Sequence, residues 1–214
     1  MRFDELVDDL AAHCHGEQLA HLLSDEELVE QITDDQLAEW LTVDAAQELI
    51  RDSHGRHASR WLAEAADIAP RTARRWLGPT PPRARHDTIT ALALTTLPPH
   101  RRPTLAADLT PTDVRTAIAD LLIPHDLRAA DVLRGATGRV DVGKIEVLYD
   151  GLPEGYRNIG VVHIDFSQVI TALTNHDLAT AAGALSDAIL DAYGPDLSEV
   201  LDIDDFGNID IELR

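Results

Sequence analysis

Five arginines fall between Ile68 and Arg85, in the stretch IAPRTARRWLGPTPPRAR, with no acid among them. A guanidinium presents its N–H donors as a flat fork, which fits the O6/N7 edge of guanine or two oxygens of a phosphate. Arg71, Arg74 and Arg75 are three and four residues apart, so a helix places them on one face. Thr72 adds a hydroxyl beside them, and Arg60 lies one element upstream. Arg83 and Arg85 follow in a proline-bounded segment, where contact with flanking phosphates is expected. The chemistry on offer is recognition of a polyanion, with double-stranded DNA as the expected partner.

The surroundings sharpen that reading. The 214-residue chain has a formal net charge of −20. Residues 1–50 carry 14 acids and one base, residues 51–102 ten arginines and four acids, and residues 103–214 20 acids and seven bases. A basic island therefore sits between two segments that repel nucleic acid. The flanks lower nonspecific affinity for polyanions, so binding must depend on local fit. The charge types are also unusual: 17 Arg against one Lys, and 26 Asp against 12 Glu. Such a surface suits a salt-rich, halophilic cytoplasm, where screening blunts self-repulsion. A GC-rich coding sequence gives the same arginine bias without a physical cause, and both explanations stand open.

Other chemistry is sparse. His13, Cys14, His15 and His21 cluster in HCHGEQLAH, but neighbouring helical side chains point apart and no second ligand pair follows at zinc-finger spacing. Asp202–Asp205 offers carboxylates to a cation, with Asp202 and Asp204 on one face of a strand, yet no further ligands are evident. There is no glycine-rich phosphate loop, no G-x-S-x-G elbow and no paired-histidine zinc helix. The expectation is a protein with no metal, no cofactor and no enzymatic activity. A lone Cys14 rules out an intrachain disulfide. No apolar run approaches a membrane span and the start, MRFDELVDDL, is unlike a secretion signal. A cytoplasmic, nucleoid-associated protein is expected.

The arginines need a scaffold, and Ser59–Leu77 has the pattern of a helix-turn-helix. Ala63 and Ala66 supply small residues where two helices cross. Asp67 occupies the turn, a position usually held by glycine but open to aspartate at positive φ. Ile68, Ala73 and Trp76 fall inward, Pro70 sits at the first helical position, and Ala69 stands where a Ser or Thr cap is usual.

The predicted fold class is α+β: a mostly α-helical N-terminal two-thirds containing the helix-turn-helix, and a small α/β domain at the C-terminus. Residues 1–52 read as an acidic helical subdomain, a candidate surface for a protein partner. Ser24 with Glu27 and Thr33 with Gln36 form capping boxes, and Thr42 repeats the nine-residue spacing. Residues 53–103 hold the helix-turn-helix and its Pro/Arg-rich extension, with one short helix near Asp87–Thr96. Residues 104–137 read as two connector helices, capped by Thr110 or Thr112 and stopped by Gly135. From 138 to 214, KIEVLYDG and NIGVVHIDF read as strands joined by a turn-like LPEGYR. A helical stretch then breaks near Asn175 and ends at Gly194-Pro195. Two short strands flank Phe206-Gly207-Asn208. NIGVVHIDF is apolar enough to bury an edge, which makes the C-terminal domain the expected homodimer surface.

PRTARRWL followed by GPTPPRARHD, then RNIGVVHID, the Asp165–Tyr193 helices and LDIDDFGNIDIEL, resembles the Tpg-type terminal proteins of linear replicons over roughly residues 55–214. That resemblance implies binding at replicon ends and a hydroxyl that accepts the first nucleotide. Thr104, Thr110, Thr112 and Thr137 are candidates by position. The acidic flanks depart from a generally basic family. The sequence thus points to a DNA-binding regulator or replicon-maintenance factor. A protein-priming terminal protein and an interaction adaptor that never touches DNA are the alternatives.

Overall fold

A computed structural model describes residues 1–194 and 196–214, every residue except Pro195, so the expected helix stop at Gly194-Pro195 lies partly outside the described residues. The helical part runs α1 (Phe3–Ala12), α2 (Gly16–Leu19), α3 (Asp25–Gln31), α4 (Asp34–Trp40), α5 (Val43–His54), α6 (Ala58–Ala65), α7 (Pro70–Trp76), α8 (His86–Thr95), α9 (Arg102–Leu109), α10 (Thr112–Leu122) and α11 (His125–Gly135). Strands β1 (Ala136–Tyr149) and β2 (Leu152–His163) follow, then α12 (Ser167–Thr174) and α13 (Leu178–Tyr193), then β3 (Leu201–Asp205) and β4 (Ile209–Leu213). The protein is α+β, helical first and with a small antiparallel sheet at its C-terminal end.

The chain divides into two compact units, Met1–Leu22 with Ala119–Arg214, and Leu23–Ile118. The segment expected as one acidic subdomain, 1–52, therefore contributes to both. Its first part leaves because Leu6, Val7 and Leu10 of α1 are buried in the core of the sheet unit.

In the Leu23–Ile118 unit, short helices start where the sequence places caps. Ser24 Oγ accepts the Glu27 N–H at 3.2 Å while the Glu27 carboxylate accepts the Ser24 N–H at 2.8 Å. Thr33 and Gln36 repeat the exchange, and Thr42 Oγ1 accepts from Ala45. Helix α8 packs on α4 and α5, α9 on α3, and α6 on α7. Ile50, Leu62, Ala73, Trp76 and Ile89 form the centre of this core. The proposed connector caps behave differently from expectation. Thr110 ends α9, its hydroxyl donating back to the Ala106 carbonyl, and Thr112 is already inside α10, whose first turn closes from Arg115 N–H to Pro111. Pro111, the residue before α10, holds the cap place that the threonines were expected to take.

In the other unit, β1 is the central strand. β2 pairs with one edge, and β3 and β4 share the other without pairing as a hairpin. Phe206-Gly207-Asn208 is thus a break in one long partner of β1. Gly207 has φ 59°, and a Cβ there would collide with the Lys144 carbonyl. The link LPEGYR is not a turn. It forms the start of β2, and the hairpin turns at Asp150-Gly151, both at positive φ. An Asp-Gly pair meets the demand of a two-residue hairpin better than any residue in LPEGYR. Val140, Val142, Ile145 and Val147 point into a core shared with α1, α11, α12 and α13. The break between α12 and α13 is where expected: His176 takes φ 58° and Asp177 caps α13 through Thr180.

Candidate nucleic-acid interface

α6 ends in a way that sets the angle of entry into α7. Asp67 takes φ 50°, the Ile68 N–H reaches back to the Ala63 carbonyl at 2.9 Å, and the Asp67 N–H lies 3.4 Å from the Glu64 carbonyl. This pair of bonds around one left-handed residue is a Schellman cap, which satisfies helix-end carbonyls while the chain reverses. Aspartate adopts, at the position usually held by glycine, the positive φ expected of the turn. Ile68, expected to be buried, is only half-buried, because as the residue after the left-handed position it covers the helix end instead of entering the core.

Helix α7 has two dissimilar sides. Ala73 is fully buried and Trp76 is 5% exposed, against Leu62, Ala63 and Ala58. Arg71, Arg74 and Arg75 are all exposed. The helix begins at Ala69 with no side-chain cap and with Pro70 in its first turn. Its C-terminal end is held from α5. Buried Gln47 gives its amide hydrogens to the carbonyls of Trp76, at 2.7 Å, and Gly78, at 3.0 Å. Arg51 donates to the Leu77 carbonyl and to Gln47 Oε1. These bonds satisfy the last carbonyl of the seven-residue helix and the two that follow it, and the Arg51 charge suits the negative end of its dipole. Nothing in the arginine pattern signals Gln47 or Arg51. The available signal was a glutamine between Ala46 and Ile50, a polar residue at the margin of an apolar helical stripe.

The remaining candidate residues take distinct places. Arg60 is exposed on α6 and pairs with Glu64 at 3.0 Å, an exposed contact of little energetic weight. Arg83 and Arg85 lie in a 3₁₀ turn between Pro82 and α8, and both are exposed. The Arg85 guanidinium sits 5.8 Å from the centre of the Trp76 ring. Thr72 is half-buried on the edge of α7, where it lines a cleft together with Arg75 and Arg85. The structure thus brings Thr72, Arg75 and Arg85 together, keeps Arg71 and Arg74 on the open face of α7, and sets Arg60 and Arg83 apart from the cleft.

Among the hydroxyls named for priming, Thr110 is buried and bonded to Ala106, and Thr137 donates to the Glu212 carbonyl at 3.2 Å. Thr104 and Thr112 are exposed. Among the described residues no three His, Cys, Asp or Glu side chains are grouped to hold a metal ion. Burial, and then the neighbouring Asp131, push the Cys14 thiol above its ordinary pKa, which disfavours the thiolate that a metal needs. His13 instead approaches the Asp9 carbonyl at 2.7 Å. Among the described residues no helix is long and apolar enough to cross a membrane.

No family model, curated protein or solved structure matches the chain.

Proposed function

We propose that the chain binds double-stranded DNA with α7 in the major groove, as a regulator or a replicon-maintenance factor. One observation carries the reading: Arg71, Arg74 and Arg75 are exposed along a helix whose other side is buried, and among the described residues none has a carboxylate partner. A chain of net charge −20 has acids to spare for neutralising them. Guanidiniums left without partners on a rigid helix are poised for base edges and phosphates. Arg83 and Arg85 supply charge just beyond the helix.

A helix of this length reads only a few base pairs, so we place two chains on a two-fold site. They join along β2, the outer strand of the sheet, where Leu152, Tyr156 and Val161 are exposed. Sedimentation with only monomer at micromolar concentration would remove that part of the proposal.

The test of DNA binding is selection from a random duplex pool by the full chain, followed by nuclease protection on the enriched sequence. Enrichment of one motif and a protected site are expected. A pool that stays random after repeated rounds would favour the interaction adaptor.

A further inference from the structure

A cleft of about 460 Å³ opens beside α7, wholly within the Leu23–Ile118 unit. Ile68, Thr72, Arg75 and Trp76 form one side, and Arg85 and Thr88 belong to the other. No carboxylate lines it, although Asp67 and Asp87 are each one residue away from a lining position. Among the described residues neither arginine has an ion-pair partner, and neither threonine hydroxyl donates a hydrogen bond. Arg85 is held over Trp76 at 5.8 Å. A cation at that distance from a ring face is attracted to it, and among the described residues the Arg85 guanidinium donates no hydrogen bond.

The geometry points to a phosphate-binding cleft, with Arg75 and Arg85 on either side of one phosphate group and Thr72 and Thr88 donating to its remaining oxygens. Two guanidiniums and two hydroxyls offer more donors than the two oxygens of a carboxylate can accept. A phosphate ester spreads its charge over more oxygens in tetrahedral directions, so several donors converge on it at once. The volume admits a phosphate together with the sugar that carries it. Trp76 is too buried to stack on a base, so the ring serves to fix Arg85. Arg75 then belongs to backbone contact, and Arg71 and Arg74 are left to read bases. The assignment of the phosphate to a DNA backbone rests on the proposed function; the chemistry of the cleft does not.

The test is nuclear magnetic resonance of the arginine Nε–Hε groups in the full chain. The probes are inorganic pyrophosphate and a mixed-sequence duplex of roughly two helical turns. Pyrophosphate is expected to shift the Arg75 and Arg85 signals. Arg85→Gln should weaken it about tenfold or more, while Arg101→Gln, at an exposed site away from the cleft, leaves it unchanged. If the duplex shifts the same pair and pyrophosphate displaces it, the phosphate is that of the DNA backbone. If pyrophosphate shifts the pair and the duplex moves no arginine, the cleft serves a small phosphorylated ligand and the DNA reading falls alone. If the duplex moves Arg71 and Arg74 while neither probe moves Arg75 and Arg85, the cleft assignment is overturned and DNA binding stands. Equal shifts of all exposed arginines with pyrophosphate would also overturn it.

Discussion

Helices α3 and α4 and helix α7 are each seven residues long, and they are built on opposite principles. The first two carry their stability in their own sequence. Each has a hydroxyl cap, a reciprocal capping box and acids in the first turn, where they complement the dipole. Helix α7 has no cap side chain, no acid in its first turn, and three arginines without carboxylate partners. Arg71 sits near the end where positive charge is least favourable. Tertiary contacts hold this helix instead: Ala73 and Trp76 in the core, and Gln47 and Arg51 on its final carbonyls. A helix that gives up local stability on its exposed side, yet is tightly anchored on its buried side, is expected where the exposed side has a ligand.

The largest test of that contrast is Trp76→Ala. It removes the main anchor of α7 and should lower stability by about 3–5 kcal/mol in chemical denaturation. Loss of less than about 1 kcal/mol would mean that α7 does not depend on its core contacts. Gln47→Leu keeps the volume but leaves the Trp76 and Gly78 carbonyls without their donor. A cost of about 1–3 kcal/mol is expected from the same measurement. The caps provide the reciprocal experiment. Ser24→Ala should cost about 1 kcal/mol, and Ala69→Ser should add about 0.5–1 kcal/mol by giving α7 the cap it lacks. If serine at 69 has no effect, the missing cap is not what separates the two kinds of helix.

The smallest effect concerns like charges of the opposite sign in the sheet unit. Burial, then Asp191 and Asp202, raise the Asp187 carboxyl above its ordinary pKa. The folded state therefore holds this proton more tightly than the unfolded chain does. Above the ordinary carboxyl range the ionised group costs stability, and the cost fades as pH falls through it. Asp187→Asn should raise the thermal midpoint at neutral pH. The gain should shrink toward about pH 4 and in high salt.

Much of this was legible in the residues. The capping boxes, the two helices of Ser59–Leu77, the inward Ala73 and Trp76 and the outward arginines all follow from local spacing. Asp67 at positive φ also follows, because the turn demands that conformation of whatever residue is there. The hairpin was misplaced because Pro153 and Gly155 in LPEGYR outweighed the shorter Asp150-Gly151 signal. Proline is tolerated on an outer strand near its start or at an irregularity, and Pro153 is the second residue of β2, at the register shift against β1. The departure of α1 to the sheet core was hidden because its acidic face resembles those of α3 and α4. The apolar stripe of α5 marks Gln47 as an inward polar residue, but its partners on α7, those of Arg51 and the cleft between Thr72 and Thr88 depend on residues distant in sequence meeting in space, which no local pattern reports.

The central claim is that the open face of α7 contacts DNA, and a binding titration tests it most directly. Arg71→Ala, Arg74→Ala and the double variant are compared with the unmodified chain and with Arg2→Ala. Each is titrated with the selected and a scrambled duplex at several salt concentrations. Each groove substitution should cost about 1–3 kcal/mol on the selected duplex and less on the scrambled one, with Arg2→Ala unchanged. If both single variants and the double variant bind both duplexes as the unmodified chain does, the arginines are only a solvated face and α7 does not read DNA.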